Sequence, residues 1–432
     1  MRNFSVIILA AGLGTRMKSQ RPKILHEVAG KPMLHCIVEQ VQECNPEKVV
    51  IVIGNEETKQ NFENYKNIYY VVQKVKKGTA HAVLQAEKIL KNYKGDILIL
   101  NGDVPLITSK TIKNLLEQHR TSFAVLTILT AIVKDPTGYG RIIRKQNEVY
   151  KIIEELDADD YTKQVKEINT GTYCFQGKYL FPLLHKIKMN PIKKEYYLTD
   201  IVEILNKEGH KIHPVIIEDN DEILGVNTRY QLAQANKIMQ LRLQKKLMEN
   251  GVTILDTDNT YIEYDVQIEQ DTIIYPFTFI YGKTKIGKNG LIGPFVQIYN
   301  SEIGDNVKIF QSTITESKIG NDVMIGPYAH IRNNSVLKDY ANIGNFVEVT
   351  RSIISEKTRA YHLSYIGDAQ IGKNVNFGAG VITANFDGIK KNKTIIEDDA
   401  FIGSSTTIIA PAIIKKGSNI KTGSIIGSNN KK

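Results

Sequence analysis

Hydrophobic and polar residues follow two different patterns along this 432-residue chain. Up to about residue 226, short apolar runs rich in β-branched residues alternate with stretches of helical spacing. The apolar runs predict strands at Val6–Leu9, Val49–Ile53, Tyr69–Val72, Ile97–Leu100 and Phe123–Leu129. The stretches between them predict helices, for example over Lys31–Glu43 and His81–Leu90. This alternation predicts an α/β domain with a mostly parallel sheet, whose ligands bind at the carboxyl ends of the strands.

A single helix is predicted over residues 228–250, where apolar residues recur at helical spacing. Gly251 follows this stretch as a C-terminal stop signal. We interpret the segment as a linker helix between a domain of residues 1–227 and a domain of residues 251–432.

Beyond Gly251 the apolar positions recur every six residues, often with glycine next in the chain. They include Ile286, Ile292, Ile298, Ile319, Ile325, Ile331, Leu337, Ile343, Val349, Ile396, Ile402, Ile408, Ile414, Ile420 and Ile426. A period of six fits neither a helix nor a hairpin, and it predicts a parallel β-helix whose aliphatic side chains stack from coil to coil. The repeat loses phase at Thr350–Gly367 and again at Thr383–Thr394. We expect functional residues at both breaks and a loop at the second.

The composition, with 42% hydrophobic and 24% charged residues, is typical of a soluble globular protein. No apolar run approaches the length of a membrane span, so we expect no membrane insertion and a cytoplasmic location. Three widely spaced cysteines indicate neither a disulfide framework nor a zinc site. The net charge of +10 suits anionic substrates. Because the lysines are dispersed, we expect no nucleic-acid partner.

The first candidate for chemistry is the turn LAAGLGTRM, which follows the first predicted strand. Glycines at a strand end let backbone N–H groups approach a phosphate, and Arg16 and Lys23 add positive charge. The string matches neither GxGxxG nor a P-loop. It indicates a nucleoside triphosphate site, and an ordinary strand-to-helix turn is the alternative.

Asn101, Gly102 and Asp103 form a second polar group, at the end of the predicted strand Ile97–Leu100. A carboxylate at a strand tip could hold a divalent cation that neutralises phosphate oxygens, although Gly-Asp is also ordinary turn chemistry. Further polar positions stand out at strand ends and tight turns: Gln73, Gly78, Thr79, Gly140, Glu154, Asn169 and Asn227.

Several strings occur together in the order seen in one family: LAAGLGTRM, NGDVPL, DPTGYGRI, EINTG, EYYLTD and GVNTR. The chain therefore resembles the bifunctional UDP-N-acetylglucosamine pyrophosphorylase / glucosamine-1-phosphate N-acetyltransferase family. That resemblance implies a nucleotidyltransferase domain with a Rossmann-like sheet, followed by a left-handed parallel β-helix of hexapeptide repeats that forms a homotrimer.

The resemblance also assigns residues of the nucleotidyltransferase half. It implies that uridine is contacted by Leu9, Ala10, Ala11, Gly12, Lys23, Gln73, Gly78 and Thr79. Gly140, Glu154 and Asn169 correspond to contacts with the amino sugar, and Arg16 to a contact with the phosphates. Mg²⁺ would be held by Asp103 and Asn227. The chain departs from the family pattern at Asn101, where an aromatic residue is expected, and at Ala80, where glycine is expected.

The strings IGNFVE, HLSYIGD, VNFGAG and FIGSSTTIIAP are similar to the acetyltransferase half of the same family. They imply that His362 is the general base, with Glu348 orienting it. Sugar-phosphate contacts would come from Arg332, Tyr365, Asn376, Asn385 and Lys391. Acetyl-CoA contacts would come from Ala379 and Ser404.

This half departs from the family pattern at Thr350, where lysine is expected, and at Phe386, where tyrosine is expected. Arg351 stands next to the first departure and could supply the missing cation. We also expect a longer tail than the one that ends at Lys432.

The implied activity is acetyl transfer from acetyl-CoA to glucosamine 1-phosphate, followed by uridylyl transfer from UTP to the acetylated product. One alternative is a uridylyltransferase alone, with the β-helix serving oligomerisation or regulation. A third possibility is a non-catalytic scaffold built on the β-helix.

Overall fold

The computed structural model describes residues 3–56, 59, 65, 67–191 and 193–427, so the chain end at Lys432 lies outside the described residues. The chain divides into two compact units, Met1–Ile238 and Met239–Lys432. None of the helices in these ranges is long and apolar enough to cross a lipid bilayer.

The first unit contains a nine-stranded sheet and a two-stranded ribbon. The strands are β1 (Phe4–Ala10), β2 (Glu27–Val28), β3 (Lys31–Pro32), β4 (Lys48–Ile53), β5 (Ile68–Val72), β6 (Asp96–Asn101), β7 (Leu126–Ile132), β8 (Arg141–Lys145), β9 (Glu148–Ile153), β10 (Glu167–Gln176) and β11 (Ile212–Ile216). The helices are α1 (Met33–Gln42), α2 (Thr79–Leu84), α3 (Glu87–Leu90), α4 (Ser109–Ser122), α5 (Asp160–Lys163), α6 (Gly177–Leu184), α7 (Ile201–Lys207) and α8 (Arg229–Glu249). Helix α8 continues into the second unit.

The main path of the large sheet runs β11-β7-β10-β6-β1-β4-β5, while β8 pairs with β10 and β9. Along this path β10 is antiparallel to both neighbours and the other strands share one direction. The predicted mostly parallel sheet is therefore confirmed, with β9 and β10 running opposite to the other strands.

Alternate side chains of each central strand pack on opposite faces of this sheet. Ile7 packs with residues of α2, α6 and α7, whereas Val6 and Ile8 pack with residues of α1 and α4. Helices thus cover both faces, and the carboxyl ends of the parallel strands are left for ligands.

Two predicted boundaries in this unit are wrong. The apolar pattern predicts that Phe123 begins a strand, but Phe123 ends α4 in a left-handed conformation with φ +56°, and β7 begins at Leu126. The single helix expected over His81–Leu90 is two short helices, α2 and α3.

The second unit is a left-handed parallel β-helix with three sheets, each made of one short strand per coil. The first sheet contains Thr253–Ile254, Ile273–Ile274, Leu291–Ile292, Lys308–Ile309, Met324–Ile325, Asn342–Asn345, Arg359–His362, Asn376–Phe377, Phe401–Ile402 and Asn419–Ile420. The second contains Thr260–Ile262, Thr278–Tyr281, Gln297–Tyr299, Thr313–Thr315, His330–Arg332, Glu348–Thr350, Tyr365–Gly367, Ile382–Ala384, Thr407–Ile409 and Ile425–Gly427. The third contains Gln267–Ile268, Lys285–Ile286, Glu302–Ile303, Lys318–Ile319, Val336–Leu337, Ile353–Ile354, Ala369–Ile371, Thr394–Ile396 and Ala412–Ile414.

The hexapeptide prediction is confirmed by the core, because the repeated aliphatic residues form one buried cluster. The loop expected at Thr383–Thr394 is also present, between Ala384 and Thr394. The break of phase expected within Thr350–Gly367 is a shift of the repeat by one residue. Ile354, Ala360 and Ile366 keep the six-residue period and are fully buried, and only one residue has been dropped after Val349.

Candidate active sites

The turn after β1 presents open backbone donors. No hydrogen bond to a described residue is recorded for the N–H groups of Gly12, Leu13 and Gly14. Gly14 has φ +63°, and a Cβ there would lie 2.7 Å from the Cβ of Lys23. Glycine is therefore required for Lys23 to pass beside the turn.

Lys23 brings together two oxygens from distant parts of the chain. Its Nζ forms a short ion pair with Asp103 Oδ2 and donates to Asn227 Oδ1 at 3.0 Å. Asp103 follows β6, and the backbone N–H of Val226 donates to its carbonyl oxygen at 2.8 Å. That bond fixes the segment that carries Asn227, so both side-chain oxygens point to one cation position.

A cavity of about 550 Å³ opens over this group. Its lining includes Leu9, Ala10, Ala11, Gly12, Arg16, Lys23, Gln73, Gly78, Thr79, Asn101, Asp103, Glu154 and Asn227. A second cavity of about 240 Å³ shares several of these residues and adds Gly140 and Asn169. The folded chain thus gathers the sequence-predicted residues at the carboxyl edge of the sheet.

Gly102 lies apart from these residues. It is buried, lines neither cavity, and donates its N–H to the carbonyl oxygen of Leu9 at 2.8 Å. Its place in the structure is therefore one of packing between β1 and β6.

The smaller cavity has a polar wall of preset hydrogen bonds. Thr199 Oγ1 donates to Glu154 Oε1 at 2.9 Å, and burial raises the pKa of Glu154. Asn169 Nδ2 donates to the hydroxyl of Tyr173 at 2.7 Å, while the Asn169 N–H donates to the Gly140 carbonyl at 2.8 Å. These bonds hold the polar groups in fixed orientations.

Sequence reasoning missed several lining residues. Lys76 donates from Nζ to the Gln73 carbonyl at 3.0 Å, and Tyr197 and Thr199 complete the walls. The run Lys74–Lys77 and the string EYYLTD were visible signals. In both stretches, however, the spacing of the residues does not show which side chains face the cavities.

Asp103 and Asn227 fit a divalent cation. Both offer side-chain oxygens, the ligands that Mg²⁺ prefers, and both already converge on the cationic Lys23 Nζ. Within the described ranges no group of three or more His, Cys, Asp or Glu side chains forms a metal site. A bound Mg²⁺ would therefore take its other ligands from phosphate and water.

In the second unit, His362 lies at the end of the strand Arg359–His362. Its Nδ1 is 2.9 Å from Asn345 Oδ1, one coil earlier. Strand register aligns Ala360 with Phe377 and Phe377 with Ile402. His362, Ala379 and Ser404 each follow these positions by two residues, so they occupy equivalent places on consecutive coils.

The expected partnership between Glu348 and His362 is replaced by another arrangement. Glu348 Oε1 accepts from Arg332 Nε at 2.8 Å and forms a short contact with Arg332 Nη2. The side-chain hydrogen-bond partner of His362 within the described chain is Asn345.

A second polar group surrounds Asp368. Arg351 donates to it from Nε at 2.7 Å and from Nη2 at 2.9 Å, which lowers the pKa of Asp368. Asn385 Nδ2 also contacts Asp368 and lies 3.4 Å from the Tyr365 hydroxyl. Arg351 Nη1 donates to Thr350 Oγ1 at 3.1 Å. The cation next to Thr350 is therefore held in place.

Asn376 and Lys391 lie outside both groups of hydrogen-bonded side chains. Asn376 lies on the first sheet, where it pairs with Arg359 and Phe401. Lys391 is an exposed residue of the loop after Ala384 and forms a backbone bridge with Phe386.

Comparisons with known proteins agree with this arrangement. Residues 6–166 match the MobA-like NTP transferase domain, and residues 316–351 match the bacterial transferase hexapeptide model. The "Bifunctional protein GlmU" of Acetivibrio thermocellus is 44% identical over 99% of this chain and 93% of its own length. The protein of the same name from Thermotoga petrophila is 47% identical over 97% of this chain and 93% of its own length.

The chain belongs to the GlmU family. It is a bifunctional transferase, and the predicted combination of a nucleotidyltransferase and an acetyltransferase is confirmed. The alternatives of a uridylyltransferase alone and of a scaffold are set aside. A solved structure described as UDP-glucose pyrophosphorylase complexed with UDP-glucose covers 56% of this GlmU-family chain and 100% of its own. Its 19% identity and TM-score of 0.47 are too low for us to infer anything from it.

Proposed function

We propose that the first unit joins N-acetylglucosamine 1-phosphate to UTP, giving UDP-N-acetylglucosamine and pyrophosphate. The observation that carries this proposal is the meeting of Lys23, Asp103 and Asn227 beside the open N–H groups of the turn after β1. Backbone donors, cations and convergent oxygens are what a nucleoside triphosphate requires.

The larger cavity takes UTP in this proposal. The N–H groups of Gly12–Gly14, with Arg16 and Lys23, face the phosphates. The base and ribose contact the remaining predicted residues, namely Leu9, Ala10, Ala11, Gln73, Gly78 and Thr79. The acetylated sugar occupies the smaller cavity, where Gly140, Glu154 and Asn169 receive its polar groups.

Uridylyl transfer is then a matter of alignment and charge. The phosphate oxygen of the sugar phosphate attacks the α-phosphorus of UTP, and the bond to pyrophosphate breaks. Mg²⁺ held by Asp103 and Asn227 would neutralise phosphate charge. Lys23 and Arg16 stabilise the negative charge on the phosphate oxygens, and the two adjoining cavities bring the reactants into line.

We propose that the second unit acetylates glucosamine 1-phosphate with acetyl-CoA. With Asn345 Oδ1 accepting from Nδ1–H, His362 keeps a lone pair on Nε2 for the amine proton. The amine nitrogen attacks the thioester carbonyl, His362 takes the proton, and the thiolate of CoA leaves.

For acetyl transfer, the proposal assigns the substrate contacts to residues of the β-helix. Ala379 and Ser404, aligned with His362, contact acetyl-CoA. Arg332, Glu348, Tyr365, Asn376, Asn385 and Lys391 contact the sugar phosphate.

Self-association as a homotrimer is part of the proposal. Hexapeptide repeats support oligomerisation. Exposed aromatic rings also stack along one corner of the β-helix, Phe277 on Phe295 and Tyr328 on Phe346. Such an exposed row of stacked apolar rings favours contact with another copy of the chain. Sedimentation equilibrium would give the number of chains in the oligomer. A cytoplasmic location stays a prediction.

A paired assay on the purified protein tests both reactions. CoA release is measured with acetyl-CoA and glucosamine 1-phosphate, and pyrophosphate release with UTP, N-acetylglucosamine 1-phosphate and Mg²⁺. We expect both signals, and chelation of Mg²⁺ should abolish the second only. Absence of pyrophosphate release would overturn the uridylyl assignment, and absence of CoA release would overturn the acetyl assignment.

A further inference from the structure

The side-chain amide of Gln73 is held on two sides. Gln73 is 4% exposed, and its own N–H donates to the Ile53 carbonyl at 2.9 Å. Its Nε2 lies 3.2 Å from the Gly78 carbonyl oxygen and 3.0 Å from His81 Nδ1. No partner within the described residues is recorded for its Oε1, and the residue lines the larger cavity.

The Gly78 carbonyl decides which way this amide faces. A carbonyl oxygen only accepts hydrogen bonds, so the Gln73 atom beside it must be the NH₂ group. The same NH₂ group has its second proton available for His81 Nδ1. That ring nitrogen must therefore carry a lone pair, and His81 must be neutral with its proton on Nε2.

The surroundings of His81 agree with the neutral form. Burial and the positive charge of Lys77 both lower the pKa of His81. Lys76, one residue earlier, donates to the Gln73 backbone carbonyl at 3.0 Å. Gln85 Nε2 donates to the His81 carbonyl at 2.9 Å, so its 3.4 Å approach to the ring Nε2–H is a contact between two donors and not a hydrogen bond.

We propose that His81 is a positioning residue that holds Gln73 Oε1 toward the nucleotide base, so that the site selects uracil over cytosine. This inference rests on the proposed function, in which Gln73 contacts uridine. Uracil presents an N–H at N3, which donates to Oε1, whereas cytosine presents a lone pair there. A site with a buried acceptor fixed in this way leaves cytosine unpaired and rejects it.

Loss of the His81 acceptor should loosen the amide without destroying the pocket. The bond to Gly78 would remain, but one amide proton of Gln73 would lose its partner. The side chain could then rotate and offer either its oxygen or its NH₂ group to the base. We expect weaker UTP binding and a reduced preference for UTP over CTP.

The test compares kcat/KM for UTP and CTP in pyrophosphate release by the full chain. His81→Leu removes the acceptor, and His81→Asn keeps an oxygen near the position of Nδ1. For His81→Leu we expect KM for UTP to rise about 10-fold with little change in kcat, and the UTP:CTP ratio to fall about 10-fold. His81→Asn should restore the ratio to within about 3-fold of the unsubstituted protein.

The kcat for pyrophosphate release at saturating UTP serves as the control for folding of the first unit, and His81→Met provides a second side chain without the acceptor. An unchanged ratio in His81→Leu or His81→Met would overturn the inference. Equal losses in the Leu and Asn variants would also overturn it, because ring packing would then be the cause. An unsubstituted protein that uses CTP as well as UTP overturns the inference alone, whereas one that uses neither overturns the proposed function as well.

Discussion

The two units assemble their candidate sites over very different distances along the chain. In the first unit, Lys23 contacts residues 80 and 204 positions away. In the second unit, Arg332 with Glu348, Asn345 with His362, and Arg351 with Asp368 are 16 or 17 residues apart.

This difference follows from the two folds. A sheet with crossover connections brings the ends of remote strands to one edge, so the first site depends on the whole unit. A β-helix adds one coil at a time, and each side chain meets only its equivalents on neighbouring coils. Substitutions should therefore act across the first unit but stay within a coil or two in the second.

The largest expected effect is that of Asp103→Ala. The change removes a cation ligand and the partner of Lys23, and we expect uridylyl transfer to fall about 10³-fold. Acetyl transfer should be unchanged in the same preparation. Pyrophosphate and CoA release are measured across a Mg²⁺ titration, with Asp103→Asn as the isosteric control. Full uridylyl transfer by Asp103→Ala would contradict the cation site.

His362→Ala is the matching change in the second unit. Loss of a general base should lower kcat for acetyl transfer about 10²–10³-fold and leave uridylyl transfer intact. Asn345→Ala removes only the hydrogen bond that orients the ring, so we expect a loss of about 10-fold. The kcat of both variants is measured as CoA release at saturating substrate concentrations. Equal losses in the two variants would contradict the distinct roles of base and partner.

Arg351→Met tests whether the cation beside Thr350 serves the sugar phosphate. Without the guanidinium, the Asp368 carboxylate loses its counter-charge near Tyr365 and Asn385. We expect KM for glucosamine 1-phosphate to rise about 10-fold, with a smaller change in kcat. Arg351→Lys keeps the charge, so its KM for glucosamine 1-phosphate should lie between that of the unsubstituted protein and that of Arg351→Met. An unchanged KM would show that this ion pair serves only the coil.

The smallest effect concerns stability of the first unit. Burial, followed by the nearby carboxylates, raises the pKa of Asp200 to about 6. Because the folded pKa lies above the unfolded one, ionisation opposes folding, and stability is lost as pH rises through about 6.

Asp200→Asn should therefore increase the free energy of unfolding at pH 8 by about 1 kcal/mol, a value reduced for partial exposure. The advantage should shrink as the pH falls toward the pKa of an unfolded aspartate. Urea unfolding of both proteins at several pH values measures it. A difference independent of pH would contradict ionisation of the Asp200 carboxyl as its cause.

The sequence predicts the regular parts of both units well. Periods of six and the burial of β-branched runs are properties of neighbouring residues, so Ile286–Ile298 and Val49–Ile53 are readily assigned. The direction of β10 cannot be assigned from the sequence in this way, because strand direction depends on the connections between strands and not on the side-chain pattern. Phe123 is misplaced for a related reason, since an exposed aromatic residue at a helix end resembles the start of a strand.

The site residues also divide into features that the sequence predicts and features that depend on the fold. Lys23, Asp103 and Asn227 can be named from motif resemblance, but their meeting depends on the sheet topology. Asn345 as the partner of His362 could not be foreseen. It depends on the coil register, which shifts wherever a single residue is dropped, as it is after Val349.

The loop between Ala384 and Thr394 leaves the β-helix and returns without disturbing its register. Ile382–Ala384 still pairs with the next coil, and Thr394–Ile396 still pairs with the previous one. A closed stack of coils can thus carry an added segment of arbitrary length at a corner, because no later coil needs to move. Lengthening or exchanging this segment is accordingly a route by which an acyl-transfer scaffold of this kind can acquire a new acceptor while its interior stays the same.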